Sequence, residues 1–343
     1  MIKQIIINAN SNSIPQIKDK TVELVITSPP YPMIEMWDDM FSEQNLQIKC
    51  ELQNGNGEKA FELMHQILDK TWNECDRTLK DNGFICINIG DATRTINDVF
   101  QLYSNHTRII NFFLNKGYCV LPDIHWRKQT NSPNKYMGSG MYPAGAYVTY
   151  EHEYILIFRK GGKRLFNNSS RIKRQESAYF WEERNVWFSD LWEIKGTSQA
   201  IKNINCSRER NASFPFEIPY RLVNMYSVKG DTVLDPFSGL ATTNIACMAS
   251  ERNGIGIEID KNLAKASMEY LTTMQDKINE VVDDRLKKHL DFISELDDEK
   301  KSKCYENENM NFLVKTKQET EMVINKIKNL NYENGKELIC EYA

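Results

Sequence analysis

The chain has 343 residues and a mass of 40.0 kDa; 41% of its residues are hydrophobic and 26% are charged. This composition excludes a collagen, a disordered acidic tail protein and a small disulfide-rich scaffold, and it provides enough apolar residues for a sizeable core. The net charge of −4, from 43 basic and 47 acidic residues, gives no sign of nucleic-acid binding when it is averaged over the whole chain.

Neither a membrane anchor nor a metal centre is expected. No apolar run approaches the roughly 20 residues that a bilayer span requires, and the N-terminus lacks the apolar core of a signal peptide. The eight cysteines form no Cys-x-x-Cys pair and the five histidines no His-Glu-x-x-His, so we expect reduced thiols and no metal. The chain is therefore predicted to be cytoplasmic.

In the first half of the chain, β-rich runs alternate with helical patterns. Residues 58–79 repeat apolar side chains every three to four positions, which is the period of an amphipathic helix. The predicted elements are strands at 22–26, 84–89, 118–126 and 153–159 and helices at 58–79 and 99–115. Residues 129–145, rich in Gly, Pro, Ser and Asn, are predicted to form a loop.

The second half repeats this alternation and ends in a charged tail. Its predicted elements are helices at 218–226 and 242–250 and strands at 231–234 and 254–259. From residue 261 onward the pattern predicts charged helices that pack on the core or on another chain. Strands that alternate with helices predict an α/β fold with a mostly parallel sheet flanked by helices.

One stretch departs from the balanced charge of the chain. Residues 159–210 contain twelve basic and six acidic residues, and aromatic side chains are interleaved among them: Phe166, Tyr179, Phe180, Trp181, Trp187, Phe188 and Trp192. Such a stretch can neutralise phosphates and place rings against bases, with Arg171, Arg174, Arg208 and Arg210 among its candidate base contacts. A solvated basic face over a tryptophan-rich mini-core has the same sequence pattern, so both interpretations stay open.

A short turn between a strand and a helix suggests a nucleoside site. Asp235-Pro236-Phe237-Ser238-Gly239 leads into Thr242 and Thr243 at a helix start, and Glu258 ends the next strand. A small-residue turn admits a ligand, a helix N-terminus supplies N–H groups, and a carboxylate about 20 residues later can bind ribose hydroxyls. The pyrophosphate motif Gly-x-Gly-x-x-Gly is absent, and Asp235 suits a positively charged group such as a sulfonium. An ordinary βαβ turn without a ligand is the alternative.

A second constellation lies near the N-terminus. Ser28-Pro29-Pro30-Tyr31 follows a predicted strand, and the two prolines hold the backbone extended without N–H groups of their own. Their carbonyls are therefore free to accept hydrogen bonds from a planar NH₂ group, while Tyr31 offers a ring for stacking. This loop is a chemically sensible cradle for the amine of a nucleobase. A polyproline-type strand exit with a packing tyrosine is the alternative.

Taken together, the two constellations resemble the amino-group DNA methyltransferases that use S-adenosylmethionine, in the arrangement called the beta class. In that class the Ser-Pro-Pro-Tyr-type motif comes early, the Asp-Pro-Phe-x-Gly motif comes late, and the target-recognition region lies between them. The likeness runs through about residues 1–265. Further matching segments are Asn88-Ile89-Gly90-Asp91, His125-Trp126-Arg127-Lys128, Glu151-His152-Glu153-Tyr154-Ile155-Leu156, and Phe214-Pro215 followed by Pro219.

The resemblance implies a Rossmann-like methyltransferase fold and a set of site residues. The implied catalytic residues are Ser28, Pro29, Pro30 and Tyr31. The implied cofactor-binding residues are Asp235, Pro236, Phe237, Gly239, Thr242, Thr243, Glu258, Phe214 and Pro215. The implied methyl donor is S-adenosylmethionine, no metal is needed, and the target base swings out of duplex DNA. Serine at position 28 is typical of cytosine-N4 enzymes, so the resemblance implies a cytosine-N4 methyltransferase that protects DNA from a cognate restriction endonuclease.

Two departures from the family pattern keep other functions open. Leu240-Ala241 replaces the usual Ser-Gly before the two threonines, and Ser213 stands where the family often has histidine. The alternatives are an adenine-N6 methyltransferase and a catalytically silent DNA-binding subunit with the same fold. For Asn88 and Asp91 a structural role is as good an expectation as a functional one, while Trp126 and His152 are expected in the core.

The resemblance also divides the chain. Residues 1–160 are predicted to form the catalytic part of the core, 161–212 a basic target-recognition insert, 213–265 the cofactor-binding part, and 266–343 a charged helical extension. Double-stranded DNA is the expected partner and no membrane is expected. A homodimer is one arrangement that the charged tail leaves open.

Overall fold

A computed structural model describes residues 1–128, 142–145, 147–196 and 214–343. The helices are α1 (Asp38–Gln44), α2 (Leu46–Gln53), α3 (Gly57–Thr78), α4 (Asn105–Asn115), α5 (Asn168–Glu176), α6 (Trp181–Trp187), α7 (Glu217–Tyr226), α8 (Thr242–Ala249), α9 (Lys261–Leu271), α10 (Gln275–Ser294) and α11 (Asp298–Lys301), with 3-10 turns at Glu35–Trp37 and Lys317–Glu319. In the described ranges, no helix has both the length and the apolar composition for crossing a membrane.

Ten strands form one large sheet. They are β1 (Ile2–Asn8), β2 (Val22–Thr27), β3 (Leu79–Ile89), β6 (Cys119–Arg127), β7 (His152–Arg159), β8 (Leu191–Trp192), β9 (Thr232–Asp235), β10 (Asn253–Glu258), β13 (Ile327–Glu333) and β14 (Glu337–Tyr342). Two small ribbons pair β4 (Ala92–Ile96) with β5 (Val99–Tyr103) and β11 (Tyr305–Glu306) with β12 (Leu313–Val314).

The strand order brings the ends of distant segments together. The sheet runs β13-β14-β1-β10-β9-β2-β3-β7-β6-β8, and the five strands from β1 to β3 in this order are mutually parallel. The carboxyl ends of parallel strands share one edge, so those of β10, β9, β2 and β3 lie side by side. Strand β7 is antiparallel to β3 and brings its amino end to the same edge. In open α/β sheets this edge is where ligands bind.

Each face of the sheet carries its own apolar core. Leu24 and Ile26 of β2 point to the face covered by α7 and α8, whereas Val22 and Val25 belong to the core beneath α3. A sheet that is covered on both faces needs near-continuous apolar strands, and β2 has that pattern. The predicted α/β fold with a mostly parallel sheet flanked by helices is therefore confirmed.

Most predicted elements are found, but the helix predicted at 99–115 is wrong in its first part. Residues 92–103 form the β4–β5 ribbon, and the helix begins at Asn105. The ribbon turns at Asn97 and Asp98, whose φ angles of 51° and 59° are those of a two-residue hairpin turn. Strand β1 and the helices α1 and α2 were not predicted.

The helical prediction for the tail is correct only as far as Lys301. Beyond it the chain forms β11 and β12 and then the hairpin β13–β14, in which β14 pairs antiparallel with β1. The hairpin turns at Asn334 and Gly335, both of which have positive φ. Leu338, Ile339 and Cys340 are buried against the rest of the sheet. The tail is therefore partly an extension of the central sheet.

The aromatic residues of the basic stretch lie largely in the core. Phe180, Trp187 and Trp192 are buried, and the Trp192 indole donates to the carbonyl of Trp187 at 3.1 Å. For these rings the tryptophan-rich mini-core is the correct interpretation, whereas Trp181 and Phe188 remain 41% exposed. Part of the stretch, including Arg208 and Arg210, and most of the predicted loop at 129–145 lie outside the described residues.

Helix α10 of the tail holds α6 in place. The Arg285 guanidinium binds both carboxylate oxygens of Glu183 at 2.7 and 2.8 Å, and Arg285 lies over the rings of Phe180 and Trp187. His289 stacks on Phe180 with ring centres 3.7 Å apart. The C-terminal extension therefore supports the segment that precedes β8 through buried charged and aromatic contacts.

Removing one partner of the Arg285–Glu183 pair leaves a nearly buried charge without compensation. We expect Arg285→Met to lower the free energy of unfolding by about 3 kcal/mol, and the added change Glu183→Gln to restore part of that loss. Urea unfolding measures both. Lys287→Met, at an exposed site on the same helix, serves as the control and should stay within about 0.5 kcal/mol of the wild type. An equally large loss in the control would contradict the assignment.

Candidate active site

A buried hydrogen bond joins the two predicted motifs. Strands β2 and β9 are adjacent and parallel, with Leu24 opposite Val233. At their carboxyl ends the Thr27 hydroxyl donates to Asp235 Oδ1 at 2.7 Å, across 208 positions of sequence. Because Ser28 follows Thr27 directly, the Ser-Pro-Pro-Tyr loop and the Asp-Pro-Phe turn begin from one point of the sheet edge.

Asp235 is a buried carboxylate surrounded by neutral donors. Besides Thr27, it accepts hydrogen bonds from the Thr243 hydroxyl at 2.6 Å and from the backbone N–H of Phe237 at 3.0 Å. Burial raises the pKa of Asp235 to about 6, and these hydrogen bonds oppose that shift only in part. The carboxylate therefore holds the turn in shape while its negative charge has no cationic partner among the described residues.

The turn after Asp235 closes against the next strand. Gly239 donates its N–H to Glu258 Oε2 at 3.1 Å, and Glu258 Oε1 accepts from the N–H of Asp260 at 2.9 Å. No described atom lies within 4 Å of the point where a side chain on Gly239 would begin, so its backbone borders open space. The Ser238 hydroxyl is buried without a described partner. These groups leave room and hydrogen-bonding capacity for a ligand.

The missing second glycine has a structural counterpart. Ala241 replaces it and adopts the left-handed conformation, with φ 59° and ψ 31°. A residue with a Cβ is strained there by about 1 to 2 kcal/mol, which explains the preference of the family for glycine at this position. Ala241 is nevertheless fully buried and α8 begins normally at Thr242. The substitution therefore keeps the shape of the turn.

The other predicted cofactor residues surround this turn in different ways. Pro236 and Thr242 are buried beside Asp235 in the chain, and Phe237 packs edge-on against Trp72 with ring centres 6.2 Å apart. Phe214 and Pro215 are buried just before α7, where Phe214 belongs to the same apolar cluster as Trp187. Ser213 lies outside the described residues.

The Ser-Pro-Pro-Tyr loop ends in a polar network. Ser28 Oγ lies 3.1 Å from the Tyr31 hydroxyl, which donates to Glu153 Oε2 at 2.9 Å. Asn88 Nδ2 donates to Tyr31 at 2.8 Å and to Glu153 at 2.7 Å, and lies 3.4 Å from Ser28 Oγ. Lys128 forms an ion pair with the other oxygen of Glu153. Five residues from four strand ends thus form one cluster beside the loop.

The burial of this network favours neutral tyrosine. Removal from water and the nearby Glu153 carboxylate raise the pKa of Tyr31 well above its ordinary value. Ser28 is half-buried and Pro29 is buried, so the loop presents a partly accessible hydroxyl next to an enclosed backbone. The arrangement can accept hydrogen bonds from an amine and can hold a proton on the tyrosine oxygen.

Close backbone packing and an asparagine fix the position of the loop. A Cβ on Gly90 would lie 3.1 Å from the Tyr31 ring and 3.3 Å from Glu153 Cγ, so only glycine lets β3 approach both residues. The buried Asn105 donates to the carbonyls of Pro32 and Gly90 at 3.1 and 3.0 Å. It thereby ties the exit of the loop to the end of β3.

Several site residues differ from the sequence interpretation in their contribution. Asn88 belongs to the catalytic network, whereas Asp91 accepts from the backbone N–H of His106 at 3.0 Å and serves the start of α4. Trp126 is a core residue, as expected, while His152 is half-buried and stacks on His125. Sequence reasoning assigned no role to Thr27, Asn105, Lys128 or Glu153. For the last two, the family-like segments were the available signal.

No metal centre is evident in the part of the chain that the structure describes: its His, Cys, Asp and Glu side chains form no group of three or more that could hold an ion.

Comparison with known proteins identifies relatives of similar length. A model of the DNA methylase family N6_N4_Mtase matches residues 22–269. The Type II methyltransferase M.MthZI of Methanothermobacter thermautotrophicus is 49% identical over 333 residues, covering 94% of this chain and 92% of that protein. The Type II methyltransferase M.MjaI of Methanocaldococcus jannaschii is 48% identical, covering 80% of this chain and 92% of that protein.

Solved structures agree with the fold. TTHA0409, a DNA modification methylase of Thermus thermophilus crystallised in complex with S-adenosyl-L-methionine, is 27% identical with a TM-score of 0.59, covering 78% of this chain and 94% of that chain. The cytosine-N4-specific PvuII DNA methyltransferase has a TM-score of 0.53 at 16% identity, covering 81% of this chain and 91% of that chain. The latter likeness concerns the fold alone.

The environment of Asp235 predicts a pH-dependent stability. Its folded-state pKa of about 6 lies above the unfolded value, so the unfolded chain binds fewer protons between these values and stability falls as the pH rises to about 6. The loss is on the order of 2 to 3 kcal/mol. Asp235→Asn removes it, so the variant should be more stable than the wild type at pH 8 and about equal to it at pH 4.

Chemical denaturation at both pH values measures this difference, with the exposed Asp284→Asn as a control of unchanged stability. A variant that is less stable than the wild type at pH 8 would contradict the view that ionised Asp235 strains the fold.

Proposed function

Since the chain belongs to the N6_N4_Mtase family of DNA methylases, whose model spans residues 22–269, we propose that it transfers a methyl group from S-adenosylmethionine to the N4 amine of cytosine in duplex DNA. The observation that carries the proposal is the Thr27–Asp235 hydrogen bond, which joins the amine-binding loop to the donor-binding turn. The choice of cytosine rests on serine at position 28, where adenine-N6 enzymes more often carry aspartate.

The residues around Asp235 fit the methyl donor. The Asp235 carboxylate suits the positive charge of a sulfonium, and the Glu258 carboxylate at the end of β10 suits ribose hydroxyls. The open space beside Gly239 and the unpartnered hydroxyl of Ser238 offer room and a further hydrogen bond. When bound, the donor supplies an electrophilic methyl group.

The Ser-Pro-Pro-Tyr loop would hold the target base. The Pro29 carbonyl and Ser28 Oγ would accept the two hydrogens of the amine, which directs the nitrogen lone pair toward the methyl carbon. Tyr31 would offer its ring for stacking. The base must first leave the duplex, at a cost of a few kcal/mol. Alignment of the reacting atoms can lower the barrier by up to ~7–11 kcal/mol, so the role of the loop is positioning.

The rest of the chain would select and contact DNA. We assign residues 1–160 to the catalytic part, 161–212 to target recognition, 213–265 to donor binding and 266–343 to a supporting extension. The Type II methyltransferase relatives support a role in protecting DNA from a cognate restriction endonuclease that acts on the same site. A homodimer remains a prediction.

Adenine-N6 methylation is the second candidate, because the matching family model covers both kinds of amine. The alternative of a silent DNA-binding subunit rests on Leu240-Ala241, but Ala241 retains the left-handed geometry of the turn. This geometry favours an active enzyme.

Product analysis decides which amine is methylated. Plasmid from cells that express the chain should contain N4-methylcytosine, detected by nucleoside mass spectrometry after enzymatic digestion. Plasmid from cells without the chain is the control. N6-methyladenine as the sole product would exclude the cytosine assignment. If no methylated base forms and calorimetry detects no binding of S-adenosylmethionine at millimolar concentration, the chain is the silent subunit.

The assigned roles also predict a division between turnover and donor binding. Pro29→Ala and Tyr31→Ala should lower kcat by at least about 100-fold with little change in donor Kd, because both residues face the target amine. Asp235→Ala should chiefly raise the donor Kd, by about tenfold or more, because it removes the carboxylate beside the sulfonium. Steady-state kinetics and calorimetry separate these effects. Equal losses of donor affinity in all three variants would contradict the roles.

A further inference from the structure

Methylation of an exocyclic amine leaves the nitrogen with an excess proton, and Ser28 alone is a poor final acceptor for it. A carboxylate stands at the far end of the Ser28 network: Ser28 Oγ contacts the Tyr31 hydroxyl at 3.1 Å, which in turn contacts Glu153 Oε2 at 2.9 Å. We propose that this chain is a proton relay in which Ser28 and Tyr31 pass the amine proton to Glu153. The inference rests on the proposed function.

Asn88 sets the direction of the relay. Its two amide hydrogens are taken by the shorter contacts, to Glu153 at 2.7 Å and to Tyr31 at 2.8 Å. The reversed amide orientation would place Asn88 Oδ1 against a carboxylate, and in the present one Oδ1 is buried without a described partner. Because Tyr31 accepts from Asn88 and donates to Glu153, the Ser28 hydrogen points to Tyr31. The remaining lone pairs of Ser28 Oγ are then available to an amine.

Charge and burial suit the ends of the relay to their tasks. Glu153 is 9% exposed and Lys128 binds its second oxygen, so an ammonium stabilises the carboxylate in its proton-accepting form. Lys128 itself lies 4.7 Å from the centre of the Trp126 ring, which orients the ammonium. Burial raises the pKa of Tyr31, so the phenol stays neutral and can pass a proton without becoming an anion.

The step balances as follows. The amine nitrogen forms a bond to the methyl carbon with its lone pair, while the carbon–sulfur bond breaks and its electron pair stays on sulfur. The nitrogen, now positively charged, gives one proton to Ser28 Oγ. Ser28 gives its own proton to the Tyr31 oxygen, and the Tyr31 proton moves to Glu153 Oε2. The base ends neutral, the hydroxyls are restored, and Glu153 holds the proton until it exchanges with solvent.

Ser28 would touch the amine directly, whereas Glu153 acts through Tyr31 and is a positioning and relay residue. A purely structural brace would use the same contacts. The two interpretations differ in what happens when the link is cut at different points, since a relay fails wherever it is interrupted and cannot fail twice.

The test uses single-turnover methyl transfer by the full chain on duplex DNA, in H₂O and in D₂O. We expect Glu153→Gln and Tyr31→Phe each to slow transfer by about 100-fold, and the double variant to be no slower than either. Tyr31→Phe keeps the ring and leaves Glu153 with Asn88 and Lys128, so it guards against misfolding of the Gln variant. The wild type should show a solvent isotope effect on the transfer rate that both variants lack.

Glu151→Gln is the matched control, since Glu151 lies two positions away, is partly exposed and pairs with Arg127 at 3.4 Å. Its rate should equal that of the wild type. The relay is overturned if either variant retains a rate within about threefold of the wild type, if the two losses multiply, or if they are matched by equal losses of donor affinity in calorimetry. Active wild type with unaffected variants refutes the relay alone, whereas a wild type without methylated product refutes the proposed function.

Discussion

The hydrogen bond between Thr27 and Asp235 is the constraint on which the site depends. It links the ends of two adjacent parallel strands that are far apart in the chain, and it is buried from water. The loop that begins at Ser28 and the turn that begins at Asp235 cannot move independently while this bond and the β2–β9 pairing persist. An in-line transfer between two bound molecules needs this fixed relation, because small displacements of reacting atoms cost large factors in rate.

Two buried carboxylates at the same sheet edge have opposite surroundings. Asp235 is held by hydroxyls and a backbone N–H, so burial dominates and its pKa is raised to about 6. Glu153 has the Lys128 ammonium and two neutral donors, Asn88 and Tyr31. The first environment keeps an uncompensated negative charge ready for a cation, and the second keeps a compensated one ready for a proton. Such divided environments let one fold use two acids in different roles.

The C-terminal extension connects the core to the segment that precedes it in space. Its last two strands widen the sheet beside β1, and α10 binds α6 through Arg285, Glu183 and the stacked pair of His289 and Phe180. The intermixed charges of the tail are therefore partly internal. Because α6 lies within the region assigned to target recognition, the extension supports the part of the chain that would approach DNA, and the core rings give that region a rigid base.

The sequence by itself determined the α/β alternation, the two motifs and the family, because apolar periods, prolines and the Asp-Pro-Phe turn are local signals. It could not reveal β1, the β4–β5 ribbon or the final hairpin, since these short elements depend on pairing partners far along the chain. Likewise, only the tertiary structure could bring Glu153, Asn88 and Lys128 to Tyr31, or show that Asp91 serves a helix end. Whether a polar side chain braces the fold or faces the chemistry is decided by which strand ends share an edge, and that is a property of the sheet and not of any local pattern.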